Sequence, residues 1–384
     1  MKLTKLFSEF SNSEKAGGVV LIVCTAISLL LANSSFGETY DHFWHIHISG
    51  NSLAHWINDG LMTIFFLLIG LELEREIYKG ELSNIKDAML PVAGALGGML
   101  VPAAIYLFFN YGTPTQSGAG IPMATDIAFA LGVLSLLGNK VPASLKIFLT
   151  ALAVIDDLGA ILIIAVFYSA GLSWVYLLAA LGIWGLLFIL NRMKVHSLIP
   201  YLIGGVVMWY CMLHSGVHAT ITGVLLAFVI PFGNGGEKTV SYKLQHFLHK
   251  PVAFIILPVF AMANTVIVIS SDWQQIFNHH YSAGIAAGLV AGKPLGILLV
   301  SFIAVKTGLC KLPGDFSWKE IFGVGFLGGI GFTMSIFITL LAFDNADVIN
   351  NAKLIILVSS LVAGIIGFVF LKMVLKKQQV QEIE

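Results

Sequence analysis

Charge is scarce in this sequence. Only 11% of its 384 residues are Asp, Glu, Lys or Arg, where soluble domains carry roughly 25%. Hydrophobic residues make up 57% and the mean hydropathy is +0.89. That balance excludes a soluble globular domain and leaves an all-α polytopic membrane protein. The 21 basic residues match the 21 acidic ones, so no net charge points to a nucleic-acid partner. Cysteine is nearly absent: Cys24, Cys211 and Cys310 are odd in number and fit no metal-ligand spacing. A disulfide framework and a zinc site are both excluded on that pattern. No cofactor is expected.

What the chain has instead is long apolar runs. Twelve can be counted, over 16–33, 54–71, 89–109, 121–138, 144–169, 174–191, 198–213, 218–231, 252–270, 281–304, 321–343 and 353–375. The first follows a charged leader (Lys2, Lys5, Lys15), as a signal peptide would, but the leader is long and no small-x-small cleavage site follows. The basic residues then fix an orientation. With these spans, 19 of the 21 fall on one side of the membrane; Lys353 is opposite, and Lys293 lies within a span. By the positive-inside rule both termini are expected in the cytoplasm. The whole of 1–384 reads as one transmembrane domain.

Polar residues inside the apolar runs carry the functional signal. Asp156 and Asp157 sit mid-way along Ile147–Val166, where one charge costs at least ~2.5–3.5 kcal/mol. Adjacent helical residues point about 100° apart. One of the two can therefore line a watery cavity while the other seeks a partner, and Lys293 in Gly284–Val300 is such a partner. Asp126 is a third buried acid. Two spans are interrupted: the fourth by Gly118, Gly120 and Pro122 ahead of Asp126, the eleventh by Gly323, Gly325, Gly328, Gly329 and Gly331 ahead of Phe332 and Thr333. Irregular backbone at membrane depth is tolerated only where protein buries it or it lines a cavity. The interrupted spans are the middle members of spans 3–5 and 10–12, two triplets that start on opposite sides of the membrane. An inverted repeat requires that, and paired interruptions mark a transporter's binding site.

An outside loop, Phe36 to Gly50, alternates from Phe43 to Ile48 as a strand does and carries His42, His45 and His47. A metal site there lacks a fourth ligand. A short periplasmic hairpin at a subunit contact fits better, since exposed strand edges invite pairing.

Several function classes compete for the intramembrane acids and lysine. A retinal Schiff base would use Lys293 but not twelve spans. An intramembrane aspartyl protease would use facing acids such as Asp126 and Asp157, yet gives no reason for Lys293 or two broken helices. A cation channel has no need of the buried lysine either. A proton-coupled carrier of another small ion is the nearer rival.

At the level of motifs, Ala124-Thr-Asp126-Ile-Ala-Phe-Ala-Leu-Gly132, Ala153-Val-Ile-Asp156-Asp157-Leu-Gly159, Gly292-Lys293-Pro-Leu-Gly296 and Gly329-Ile-Gly-Phe-Thr-Met-Ser-Ile-Phe337 resemble the NhaA-type bacterial sodium/proton antiporters. So do Gly70-Leu-Glu72-Leu-Glu-Arg75-Glu76 and His214-Ser-Gly-Val-His218-Ala-Thr. The likeness covers essentially the whole chain. It implies an electrogenic Na⁺ (and Li⁺)/H⁺ antiporter of the inner membrane, not an enzyme, working by alternating access. Broken helices in inverted repeats are described for this family itself, so that architecture is not independent of the resemblance.

The resemblance places the ion site at Asp157, with Asp126 and Thr125, and pairs Asp156 with Lys293. The residue chemistry agrees. Na⁺ is a hard cation that prefers oxygen ligands, and burial disfavours a carboxylate's charged form, so one carboxylate can hold a proton or a cation in turn. Where broken helices cross, their ends carry about half a unit charge each. Asp126 would offset the positive ends and Lys293 the negative ones. Whether Lys293 is a proton carrier or a structural counter-charge stays open. Glu72, Arg75 and Glu76 at the end of span 2, with His246 and His249, match groups implied to sense pH. The chain departs from the pattern at Gln245, where members carry an acid, and at Lys250. His218 reads as packing. A homodimer through the 36–50 hairpin is the expected assembly.

Overall fold

The computed structural model describes residues 5–169, 171–269, 273–314 and 317–381. Among them, eight helices are long and apolar enough to cross a membrane, and ten spans result if each of two bent helix pairs counts as one. This is a multi-pass helical membrane protein. The two remaining apolar runs form Ile199–Leu213, 15 residues, and Ile221–Ala227, only 7. A bilayer crossing takes about 20 residues, so the twelve expected spans are not all full-length helices. Around Ile221–Ala227 the cause is local: turns at 214–220 and 228–236 replace helix on both sides.

The chain divides into two compact units. One gathers Met1–Val23, Asn84–Ala160 and Ile267–Glu384. Its spine is the helix Ile85–Asn110, which starts at Asn84, whose side chain accepts from the Lys86 N–H at 3.2 Å. Two prolines, Pro91 and Pro102, lie inside it. It packs on Lys293–Lys306 so closely that a Cβ on Gly97 would strike the Gly296 carbonyl, and one on Gly296 the Gly97 carbonyl. Small residues at such points let membrane helices approach backbone to backbone. The helix ahead of Lys293 is interrupted by a π-helical turn, Gly288–Gly292.

Both interrupted spans belong to this unit. The first runs as a 3₁₀ helix Gln116–Met123, turns extended at Ala124 (φ −78°, ψ 146°) and resumes as Ile127–Ser135. The second is Trp318–Gly328 followed by Phe332–Ala342, bent by 49°. Glu320 closes the start of Trp318–Gly328 by accepting from the Ser317 N–H at 2.7 Å. The 36-residue helix Ala346–Gln381 completes the unit.

The other unit gathers Cys24–Ser83 and Ile161–Val266. Here Met62–Lys79 packs on Ile221–Ala227, where Gly223 and Gly70 leave room only for hydrogen: a Cβ would meet Thr63 O and the Ala227 methyl respectively. The stretch around His246, between the eighth and ninth apolar runs, is helix, Val240–Pro251, running through a π-helical turn into Leu257–Asn264. Thr239 caps it by accepting from the Tyr242 N–H at 3.4 Å. Asn58 and Asn264 pair reciprocally, at 3.4 and 2.7 Å.

The outside loop is only in part the hairpin expected. Gly37–Trp44 is a helix, because Tyr40 and Trp44 fall on one face and the Tyr40 hydroxyl donates to the Met262 carbonyl at 3.1 Å. The strands are two residues each, His47–Ile48 against Asn51–Ser52, joined through Ser49 and Gly50 at φ 52° and 94°. Positive φ at both turn positions matches the right-handed twist of a hairpin.

The Gly97 contact yields a direct expectation. Gly97→Ala forces the two backbones apart, and overpacking of this kind costs about 1–3 kcal/mol. A lowered melting temperature in detergent is expected, whereas Gly182→Ala, whose Cβ would meet nothing within 4 Å, should not lower it. Equal melting of both variants would refute the tight contact.

Candidate ion site and its surroundings

The two chain breaks bond to one another. The Asp126 N–H donates to the Ile330 carbonyl at 2.7 Å, and the Ser335 hydroxyl donates to the Ile121 carbonyl at 2.7 Å. Between these links lies the Asp126 carboxylate, buried. One oxygen accepts from the Phe129 N–H at 3.0 Å and so caps Ile127–Ser135. The other accepts from the Thr333 N–H at 3.1 Å and from the Thr333 hydroxyl, in the first turn of Phe332–Ala342. A single carboxylate thus serves the positive ends of two half-helices, the place where helix geometry favours an anion. Gly331 and Phe332 also donate their N–H groups to the Ser360 hydroxyl, at 3.2 and 3.1 Å.

Thr125 ties this crossing to the buried pair. Its hydroxyl lies 2.7 Å from Asp156 Oδ2 and 2.8 Å from the Gly328 carbonyl, so one proton is shared between them. The same Asp156 oxygen accepts from Lys293, and both side chains of that ion pair are fully buried. Thr125, expected beside Asp157, is therefore bonded to Asp156. Lys293 makes no hydrogen bond to a helix carbonyl among the described residues; its partner is Asp156. Asp157, the next residue of the helix Ala143–Phe167, is fully buried as well. Pro122 lies buried in the 3₁₀ segment, and Gly329 and Gly331 flank Ile330 at the break. Gly329 has no room for a side chain: a Cβ there would meet the Leu289 carbonyl.

The site's donors to Asp126 are legible once Thr333 is noticed. Ser360 is not: a lone serine in an apolar helix looks like any small packing residue, and only its position over the break reveals its task. Ser335 is hidden in the same way.

The residues expected to sense pH lie in the other unit. His249 Nδ1 is 3.5 Å from Glu72 Oε1, both nearly buried. Arg75 places its guanidinium 4.9 Å from the centre of the Tyr242 ring, and Tyr242 stacks on His246 at 6.4 Å. Glu76 follows one residue after Arg75 on the helix Met62–Lys79. Gln245, the departure from the pattern, is buried on the helix that carries both histidines. Tyr242 was missed from sequence because an aromatic in the first turn of an amphipathic helix reads as packing. His218 Nε2 donates to the Tyr168 carbonyl at 3.1 Å, a contact in keeping with packing.

The profile of the family described as Na⁺/H⁺ antiporter 1 matches residues 8–371. The chain is 70% identical over 376 residues to a Na⁺/H⁺ antiporter NhaA of Flavobacterium psychrophilum, covering 98% of each. It is 64% identical to a protein of the same name from Cytophaga hutchinsonii, over 100% of this chain and 99% of that one. A Vibrio campbellii NhaA is 48% identical over 99% and 98%. With coverage of this extent the chain belongs to the Na⁺/H⁺ antiporter 1 family.

Proposed function

We propose that the chain is an electrogenic Na⁺/H⁺ antiporter that expels Na⁺, and Li⁺ as a second small hard cation, in exchange for protons. It works in the bacterial inner membrane with both termini in the cytoplasm, as one transport domain built on inverted repeats. The observation that supports this most is the crossing of two broken spans around the Asp126 carboxylate, with the Asp156–Lys293 pair bonded to it through Thr125. Half-helix ends at mid-membrane offer fixed dipoles without mobile charge.

Asp157 is the group at which Na⁺ and H⁺ compete. Whichever occupant holds the carboxylate excludes the other, and exposure to alternate sides of the membrane turns that competition into exchange. Asp126 holds the crossing in shape, with Pro122, Gly329 and Gly331 allowing the chain to leave helix there. Asp156 and Lys293 form the second proton-linked element, since protonating the acid or deprotonating the amine breaks their attraction. The Glu72–His249 contact, with Arg75, Glu76 and His246, is the regulatory element that sets activity by pH. The hairpin within 36–50 joins two copies.

Three outcomes test the reading. Asp157→Asn keeps the shape but removes the titrating charge, so Na⁺-driven proton movement in everted vesicles should vanish, while Asp126→Asn should weaken apparent Na⁺ affinity or turnover. Full exchange by the Asp157→Asn protein would remove Asp157 from the site.

Lys293→Ala leaves Asp156 buried without its cation. Breaking a buried pair from one side costs about 3–5 kcal/mol, so the variant should melt at clearly lower temperature as well as lose transport. An unchanged melting temperature would mean that the pair contributes nothing to the fold.

Electrogenicity follows if two protons enter for each Na⁺ that leaves. One net positive charge then moves inward per cycle, and a potential negative inside contributes ~2.3 kcal/mol per 100 mV toward Na⁺ expulsion. In proteoliposomes at equal pH on both sides, an imposed potential should drive Na⁺ against its gradient. Exchange indifferent to the potential would leave one titrating site and make Lys293 purely structural.

A further inference from the structure

Within the unit formed by Cys24–Ser83 and Ile161–Val266 lies a cavity of about 480 Å³. That is within the usual range for small-ligand pockets, roughly 300–1,000 Å³. Two helices and a turn build it. Met62–Lys79 contributes Glu74, Tyr78 and Lys79; the end of Trp174–Arg192 contributes Phe188 and Arg192; Phe232 comes from the turn after Ile221–Ala227.

Its charges are laid out unusually. Glu74 is 4% exposed. Its Oε2 is buried with no hydrogen-bond partner among the described residues. A buried carboxylate oxygen without a donor is costly, and Glu74 is one of the residues that line the cavity. Lys79 and Arg192 line the same cavity, and neither forms an ion pair among the described residues. Arg192 instead lies over the Phe188 ring at 5.0 Å, while Tyr78 and Phe232 pack at 5.2 Å. One acid in need of a donor and two unpaired cations therefore face one aromatic-walled space.

A simple anion would satisfy the cations and repel Glu74. A simple cation would do the reverse. A zwitterion with a primary amine on a short arm from a phosphate satisfies both: the ammonium pairs with the Glu74 carboxylate, and the phosphate takes Lys79 and Arg192.

The position of the cavity says where such a group comes from. Trp174–Arg192 is buried over only 11% of its span window, and Leu178, Leu186 and Ile189 are exposed at 63%, 60% and 58%. An apolar face of that kind is a lipid-facing face. The helix ends at Asn191 and Arg192, both of which line the cavity, so the space opens at the depth where acyl chains give way to headgroups. Basic residues clustered at this level of a membrane helix engage lipid phosphates.

We propose that this pocket binds the phosphoethanolamine headgroup of a phospholipid from the surrounding leaflet, with Glu74 selecting the amine and Lys79 and Arg192 holding the phosphate. The test does not depend on transport. Native mass spectrometry of the full chain, released from nanodiscs holding equal phosphatidylethanolamine and phosphatidylglycerol, counts the lipids retained. The wild type should keep one phosphatidylethanolamine per chain in preference to phosphatidylglycerol. Glu74→Gln, which keeps the side-chain shape, should lose that preference at least five-fold, and Lys79→Gln combined with Arg192→Gln should lose retention of both lipids. Melting curves confirm that each variant is folded, and Lys79→Gln alone serves if the double variant is not. Retention of phosphatidylglycerol above phosphatidylethanolamine by the wild type, or an unaltered preference in Glu74→Gln, would overturn the proposal. Displacement of the lipid by water-soluble phosphoethanolamine at equal concentration would overturn its lipid source.

Discussion

The Asp126 carboxylate is the constraint on which the ion site depends. Two spans stop being helices in the middle of an apolar layer, and backbone released there has no water to bond with. The released groups are satisfied by each other and by a small set of side chains. Asp126 accepts from both half-helices, its own N–H reaches the opposite break at Ile330, and Ser360 covers two further N–H groups. If one member is removed, several buried donors or acceptors lose partners together, which makes such networks all-or-none.

The Asp156–Lys293 pair works under a different balance. Each charge alone would be expensive to bury, and their mutual attraction offsets the desolvation only when geometry is close and other bonds help. Thr125 is that help, and it also links the pair to the crossing by hydrogen bonds. The polar site is thus one connected structure rather than a set of separate acids. The helix Trp174–Arg192, by contrast, uses Trp184 and Asn191 to donate to the Leu225 and Val229 carbonyls and ends in a charged pocket.

Much of this was legible in the sequence because charges and glycines in apolar runs are rare enough to be informative. Asp126, Asp156, Asp157 and Lys293 stand out by cost alone, and glycine crowding from Gly323 to Gly331 marks the break that the structure bends by 49°. Hydropathy was blind to two kinds of feature. It could not see that Val240–Pro251 is helical, since that helix is polar on one side and apolar on the other, nor that Ile221–Ala227 is held to seven residues by turns at either end. The alternation from Phe43 to Ile48 was too short to specify a strand against the pull of Tyr40 and Trp44 on one helix face. Serines 335 and 360 were invisible because their meaning lies wholly in what they face.

The π-helical turn Gly288–Gly292 sits directly before Lys293. Such a turn holds one residue more than the α-helix around it. One residue corresponds to about 100° of rotation about the axis. The direction in which the Lys293 ammonium points is therefore encoded in a residue count as much as in residue identity. Wound as regular α-helix without that turn, the same residues would leave every motif readable and swing the lysine away from Asp156.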